Sequence, residues 1–363
     1  MTSERIYNFS PGPATLPEPV LQAAQEAIWN VHGSGIGILE HSHRGPVFDR
    51  VIDETEALVR EVAGLDDAWQ VLFLQGGATL QFAMVPMTFL SEGRTADYLD
   101  TGSWVKKAIG EAKKTGSVHV AFSGKESGYD HVPANDEIDP SANPVYTWYC
   151  SNNTIAGTQY HQLPTSPAPL VCDASSDILS RPLDLTNHGM VVAGAQKNIG
   201  VAGCTLVLIR KDWLEQVPDN MPLLLDYRAL AAKGSRLNTP PTFGIWMMGE
   251  VLRWIRDQGG VGAIEERNRA KAALIYDAID GSEGFYRPVA RDGSRSMMNV
   301  TFRTPNEDLD RAFLELTTAE GLAGLKGHRS VGGLRASIYN AFPEQGCRAL
   351  TELMGAFAAR HAT

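Results

Sequence analysis

Apolar residues recur at Val20, Leu21, Ala24 and Ile28, behind an early Pro17 and ahead of Gly33. That spacing returns to one face of a helix and predicts one over residues 17–31. A second helix is predicted over 46–63, with Pro46 at its start and Gly64 closing it. Residues 69–74 are a short apolar run that breaks at Gly76-Gly77 and passes into a helix starting near Ala78. The alternation then repeats. Strands are predicted at 95–100, 118–122, 145–150, 170–173, 190–194 and 204–210, with a helix over 103–114. Short, nearly continuous apolar strands separated by helices predict a mostly parallel sheet covered on both faces, an α/β architecture.

After Gly259-Gly260 the texture changes to a long helical pattern over 261–279, a strand at 298–302, and helices over 306–320 and 344–361. We therefore expect a large α/β domain over residues 17–260 and a small α+β domain over 261–363, joined by the N-terminal segment 1–16. The 363 residues are ample for two cores.

Composition narrows the function. The net charge of −10 argues against nucleic acid or an anionic membrane as the main partner, and leaves anionic substrates open only where cations are gathered locally. Cys150, Cys172, Cys204 and Cys347 show neither metal-knuckle nor redox spacing, so no metal site is expected. Residues 1–10 carry no basic start followed by an apolar run, and no apolar stretch reaches membrane-spanning length. The expectation is a soluble, cytoplasmic protein.

Ligands of such sheets collect at the carboxyl ends of strands. Lys197 lies there, in a turn of small residues between two apolar strands. A lysine so placed is costly to desolvate unless paired, or unless its charge is removed by condensation with an aldehyde cofactor. Read alone, it is equally a solvated turn lysine. Asp173 ends the strand one excursion earlier, where a carboxylate can hold the ring nitrogen of pyridoxal phosphate protonated; a turn aspartate is the plainer alternative. Gly76-Gly77-Ala78-Thr79 joins a strand to a helix, an arrangement whose free amides suit a phosphate. Trp104 follows another strand and suits ring stacking or core packing. Two basic clusters, His41, His43, Arg44 and His328, Arg329, Arg335, suit carboxylates or phosphates if a cleft between the domains unites them.

At these residues the chain resembles a known family. Asn8-Phe9-Ser10-Pro11-Gly12-Pro13, Ser42-His43-Arg44-Gly45, Gly194-Ala195-Gln196-Lys197-Asn198, Asn238-Thr239-Pro240-Pro241-Thr242, and Gly327-His328-Arg329 through Arg335 to Asn340 are similar, in order, to the phosphoserine aminotransferases. These belong to the class V, fold type I pyridoxal-phosphate aminotransferases. The resemblance implies a homodimer with shared active sites, pyridoxal 5′-phosphate as cofactor, Lys197 as the Schiff-base lysine and Asp173 as the partner of the ring nitrogen. Trp104 would stack on the ring and Thr154 would bond near its hydroxyl oxygen. The amides of Ala78 and Thr79, aided by Gln196, would hold the phosphate, with Asn238 and Thr239 reaching it from the other subunit. The reaction implied is ping-pong exchange of an amino group between glutamate and 3-phosphohydroxypyruvate in serine biosynthesis. Relatives differ in whether they also act on the phosphorylated hydroxythreonine of vitamin B6 synthesis. Some relatives carry glycine and arginine where this chain has Ala78 and Thr79.

Two other readings compete. A cysteine desulfurase on the same fold would need a mobile thiol, for which Cys347 is the only loop-like candidate, though it sits at a helix start. A non-catalytic binding protein would not need Lys197 and Asp173 together.

Overall fold

The computed structural model describes residues 5–361. Residues 1–4 of the expected N-terminal segment, also the start of the stretch searched for a leader, and residues 362–363 of the expected small domain lie outside it.

Seven strands form the central sheet in the order Trp69–Leu74, Thr205–Arg210, His188–Gly194, Leu170–Asp173, Pro144–Cys150, Thr95–Asp100 and Ser117–Ser123. Thr205–Arg210 runs antiparallel to both neighbours, and every other neighbouring pair is parallel. The connections explain the difference. Parallel neighbours need a long crossover, whereas antiparallel ones can be joined by a short turn. The turn from Gly194, which pairs with Thr205, is such a link, and it carries Lys197. Asp173 ends the next strand over, opposite Val192, so both residues stand at one end of the sheet.

Alternate side chains feed two cores. Cys172, Val191, Ala193, Leu206 and Leu208 face the helices Pro46–Ala63 and Thr242–Asp257. Val171, Val192, Val207 and Ile209 face Gly77–Phe89 and Ser103–Ala112. A third core gathers Phe9, Phe302, Phe313, Ile338 and Phe357 around the sheet of Arg287–Pro288, Asn299–Arg303 and Leu334–Ser337. The start of the chain joins it, since Tyr7–Asn8 pairs in parallel with Leu322–Ala323. The helix Gly260–Asp280 threads two of these cores, with Ile264 in the first and Ala272, Ile275 and Ile279 in the third. No helix among the described residues is long and apolar enough to cross a membrane.

Most predicted strands and helices recur within one or two residues at their ends. The first helix, Glu18–Trp29, stops short of residue 31 because Asn30 is extended and a separate turn begins at Val31. Two of the elements without a prediction shape the core and the site. Thr242–Asp257 buries Ile245, Trp246, Met247, Met248, Val251, Leu252 and Ile255, so its apolar residues surround the helix rather than marking a stripe. Leu334–Ser337 is four residues long, and Arg335 within it reads as polar.

The hidden helix meets Pro46–Ala63 closely. A Cβ added at Gly249 would lie 2.6 Å from Thr55 Oγ1, which donates to Val51 O at 2.8 Å. Gly249→Ala should therefore destabilise the protein by about 1–3 kcal/mol, the usual cost of overpacking. Thr55→Ala should remove most of that penalty in the double variant. Denaturant melts of the four proteins in this cycle check it, and additive effects would show that the helices part freely.

Candidate active site

A cavity of about 320 Å³ opens at the carboxyl end of the sheet. Its walls include Gly12, Ala78, Thr79, Trp104, Thr154, Asp173, Gln196, Lys197, His328 and Arg335. The sheet supplies the floor, the turn after Gly194 supplies Lys197, and the strand Leu334–Ser337 brings Arg335 from the opposite side.

Lys197 Nζ donates to Thr154 Oγ1 at 2.7 Å, and Arg335 donates through one guanidinium nitrogen to Thr154 O at 3.0 Å. One residue therefore fixes both cations, by its side chain and by its main chain. Burial lowers the pKa of the Lys197 amine, Asp173 opposes that shift, and Arg335 adds to it. The amine is thus easier to deprotonate than a free lysine. Asp173 is buried, and burial raises its pKa, while bonds from Ser175 and the charge of Lys197 pull it back. Its Oδ1 accepts from Ser175 N at 3.0 Å and Ser175 Oγ at 2.6 Å. No bond among the described residues reaches Oδ2.

The helix Gly77–Phe89 points its start at the cavity. Gly76 and Gly77 have φ of 83° and 65°, a left-handed conformation that glycine adopts without steric cost. No side chain caps this start, so its first amides remain open to an anion. Trp104 forms another wall, 5.8 Å from its ring centroid to Lys197 Nζ. The indole Nε1 of Trp104 and the Nε of Arg335 are buried without a hydrogen-bond partner. Unpaired buried donors of this kind mark places where a bound group is received.

Within a single chain the cations do not all converge. His328 and Arg335 line the cavity, whereas His43, Arg44 and Arg329 are not among its walls. Arg44 Nε contacts its own neighbour His43 at 3.2 Å, and His41 bonds Ser34 at 2.8 Å, on a loop ahead of Pro46–Ala63. Arg329 is exposed. Asn238 and Thr239 likewise turn aside, tied to Gln75 by bonds of 3.2 and 2.9 Å. Within one chain the loops of the two basic clusters are thus anchored to separate elements.

Cys347 lies at the helix start expected for it, and it does not suit a mobile thiol. It is fully buried inside Glu344–His361, packed in the third core, and burial pushes its thiol up to about 12. Lys107 was missed by the sequence reading. It follows Trp104 by one helical turn, and its ammonium lies 4.4 Å from that ring's centroid. The i, i+3 spacing was the signal.

Three comparisons bear on this geometry. The family model for class-V aminotransferases matches residues 6–350. A phosphoserine aminotransferase of Desulfotalea psychrophila is 53% identical over 359 residues, covering 99% of each chain. That of Geobacillus kaustophilus is 48% identical over 359 residues, covering 99% of this chain and all of its own. The solved phosphoserine aminotransferase of Bacillus circulans subsp. alkalophilus superposes with a TM-score of 0.96 at 49% identity, covering 99% of both. One from Trichomonas vaginalis, solved with pyridoxal phosphate bound, gives 0.92 at 38% identity, covering 97% of this chain and all of its own.

His328 offers a test independent of turnover. Burial first, then the charges of Arg335, Arg329 and Lys107, holds its pKa below 6.5. Its positive charge favours anions, so sulfate affinity should fall as pH rises through that transition and then level off. Arg335→Ala should move the transition to higher pH. NMR titration of the imidazole, with parallel sulfate binding, checks both; an unmoved transition in Arg335→Ala would mean the two side chains do not share a field.

Proposed function

Because this chain belongs to the class-V aminotransferases, and among them to the phosphoserine aminotransferases, we propose that its reaction runs in the 320 Å³ cavity with Lys197 as the reacting amine. The reaction itself exchanges the amino group of glutamate with 3-phosphohydroxypyruvate, yielding 2-oxoglutarate and O-phosphoserine for serine biosynthesis. The observation that carries the proposal is the joint tether of Lys197 and Arg335 to Thr154, beside a buried Asp173 with one free carboxylate oxygen.

The residues present fit pyridoxal 5′-phosphate. Oδ2 of Asp173 suits a protonated ring nitrogen, Trp104 a flat aromatic face, and Thr154 Oγ1 a ring oxygen. The uncapped amides of Ala78 and Thr79, with Gln196, suit the phosphate. Main-chain donors need no arginine at position 79, so the Ala78-Thr79 departure from some relatives leaves this contact intact. Bound there, the cofactor supplies an aldehyde carbon to carry the amino group and a ring to accept electrons.

The chain's own groups do the rest. The Lys197 amine takes the proton from the substrate α-carbon and returns it two atoms along, its lowered pKa making the lone pair more accessible than that of a free lysine. The Asp173 carboxylate holds the ring proton in place, in a site too buried for water to screen it. Arg335, with its free Nε, receives the substrate α-carboxylate as a fork. His328, with Arg329 nearby in sequence, receives the distal phosphate or the second carboxylate of glutamate.

We read the site as completed by a second copy of the chain. The exposed Ile28, Trp29, Ile36 and Leu39 precede the loop of His43 and Arg44, and the exposed Leu224 shares a pocket with Asn238. Trp29 is 85% exposed, and apolar surface of this kind marks an interface. Asn238 and Thr239, on a loop stiffened by Pro240-Pro241, then serve the partner's phosphate, and His43 and Arg44 its substrate anion. Our domain reading is a large cofactor unit over 17–260 and a small unit from 261 onward.

Lys197→Ala should lower turnover by at least about 10³-fold, within the range covered by loss of a positioned acid–base group. Near-normal transamination in that variant would overturn the assignment. Subunits carrying Lys197→Ala, mixed with subunits carrying Thr239→Glu, should regain up to roughly a quarter of wild-type activity, since half of randomly assorted dimers are hybrids with one intact site. Verified hybrids without activity would rule out sharing.

A further inference from the structure

The reaction described leaves a buried lysine unused. Lys271, in the helix Gly260–Asp280, is 2% exposed. Its ammonium donates to three main-chain carbonyls, Ile338 at 3.0 Å, Tyr339 at 2.6 Å and Phe342 at 3.1 Å. Each of its three protons thus has one acceptor, and all three acceptors belong to the turn that follows the strand of Arg335. Burial pulls its pKa down to about 7, and nearby Arg267 acts with burial while Cys347 and Glu344 oppose it.

That turn reaches Lys197 by two separate routes. In the first, Asn340 N donates to Asn198 Oδ1 at 3.0 Å, and Asn198 follows Lys197 in the chain. The Asn340 side chain is itself locked, accepting from Asn268 at 2.9 Å and donating to Leu179 O at 2.9 Å. In the second, Tyr339 donates its hydroxyl to Pro11 O at 2.7 Å. Gly12, the next residue, packs on the lysine stem so closely that a Cβ there would lie 3.2 Å from Lys197 Cγ. Arg335 does not depend on the turn in this way, because its strand is paired through Thr301 and its guanidinium is tied to Thr154.

We propose that Lys271 is a positioning residue for the reacting amine: its ammonium clamps the turn 338–342, and the turn holds Lys197 from its neighbour Asn198 and from its stem at Gly12. The inference rests on Lys197 being the reacting amine. It concerns how that amine is aimed, not how substrate is bound.

The test uses the cofactor-loaded enzyme and Lys271→Met, which keeps the bulk and leaves three carbonyls unpaired. We expect kcat to fall by roughly 10- to 100-fold, as displacements of about 1 Å in a reacting group do, with KM for glutamate changed far less. The pH midpoint of the visible absorbance should shift as well. A stabilising residue with no positioning role would lower the melting temperature only. Wild-type kcat and an unmoved spectral midpoint in folded Lys271→Met therefore overturn the proposal. If that variant does not fold, Tyr339→Phe and Asn198→Ala each cut one route, and each should lower kcat and move the midpoint. Wild-type behaviour in both readouts for both variants also overturns it. Borohydride trapping of the cofactor, followed by peptide mass analysis, tests the premise by itself. Label on a lysine other than Lys197 would remove the premise, whatever the Lys271 variants do.

Discussion

An amine withdrawn from water must be held by something, and the bond from Lys197 to Thr154 is where this protein meets that requirement. A lone buried ammonium is strongly disfavoured. Here the penalty shows as a lowered pKa, which makes the amine easier to deprotonate. Asp173 limits the effect by opposing it. The balance between burial and one carboxylate requires that both stand at the same end of the sheet, and the short antiparallel return from Gly194 to Thr205 puts them there.

The cavity is therefore built from three sources with different rigidity. The floor is sheet, covered by helices on both faces and unable to move without disturbing two cores. Another wall is an uncapped helix start behind two left-handed glycines. The wall with Arg335 and His328 belongs to the third core, which is tied to Asn198, next to the lysine, through Asn340 and to Pro11-Gly12 through Tyr339. Groups that must stay fixed come from the sheet, and groups that must meet different substrates come from loops and from the opposite core. That division suits a ping-pong enzyme, which alternates two anions of different shape on one α-carboxylate site.

Much of this was legible in the sequence, and the exceptions have physical reasons. Lys197 and Asp173 stood out because polar residues that end apolar strands are conspicuous against them. Thr154 carries no such contrast, lies between short strands, and entered only through resemblance. Thr242–Asp257 escaped because a helix buried on nearly every side has no polar face to set its period. Lys271 escaped for the opposite reason: in a helix rich in charge, a lysine reads as solvated, and only the fold shows three carbonyls around it. His43 and Arg44 were visible as a basic cluster, but which chain's cavity a loop serves is not written in its own residues.

The contact of Lys197 with Gly12, and that of its neighbour Asn198 with Asn340, also bear on how the protein is made. The lysine waits on the two ends of the polypeptide, since Tyr7–Asn8 must find Leu322–Ala323 before the early segment can settle against it. Contacts so remote along the chain are slow to close. The sheet can collapse while the ribosome is still working, but the lysine's surroundings are complete only after nearly the whole chain has emerged. A truncated or half-translated chain would hold a folded sheet and an unaimed amine, so chemistry begins only with the finished molecule.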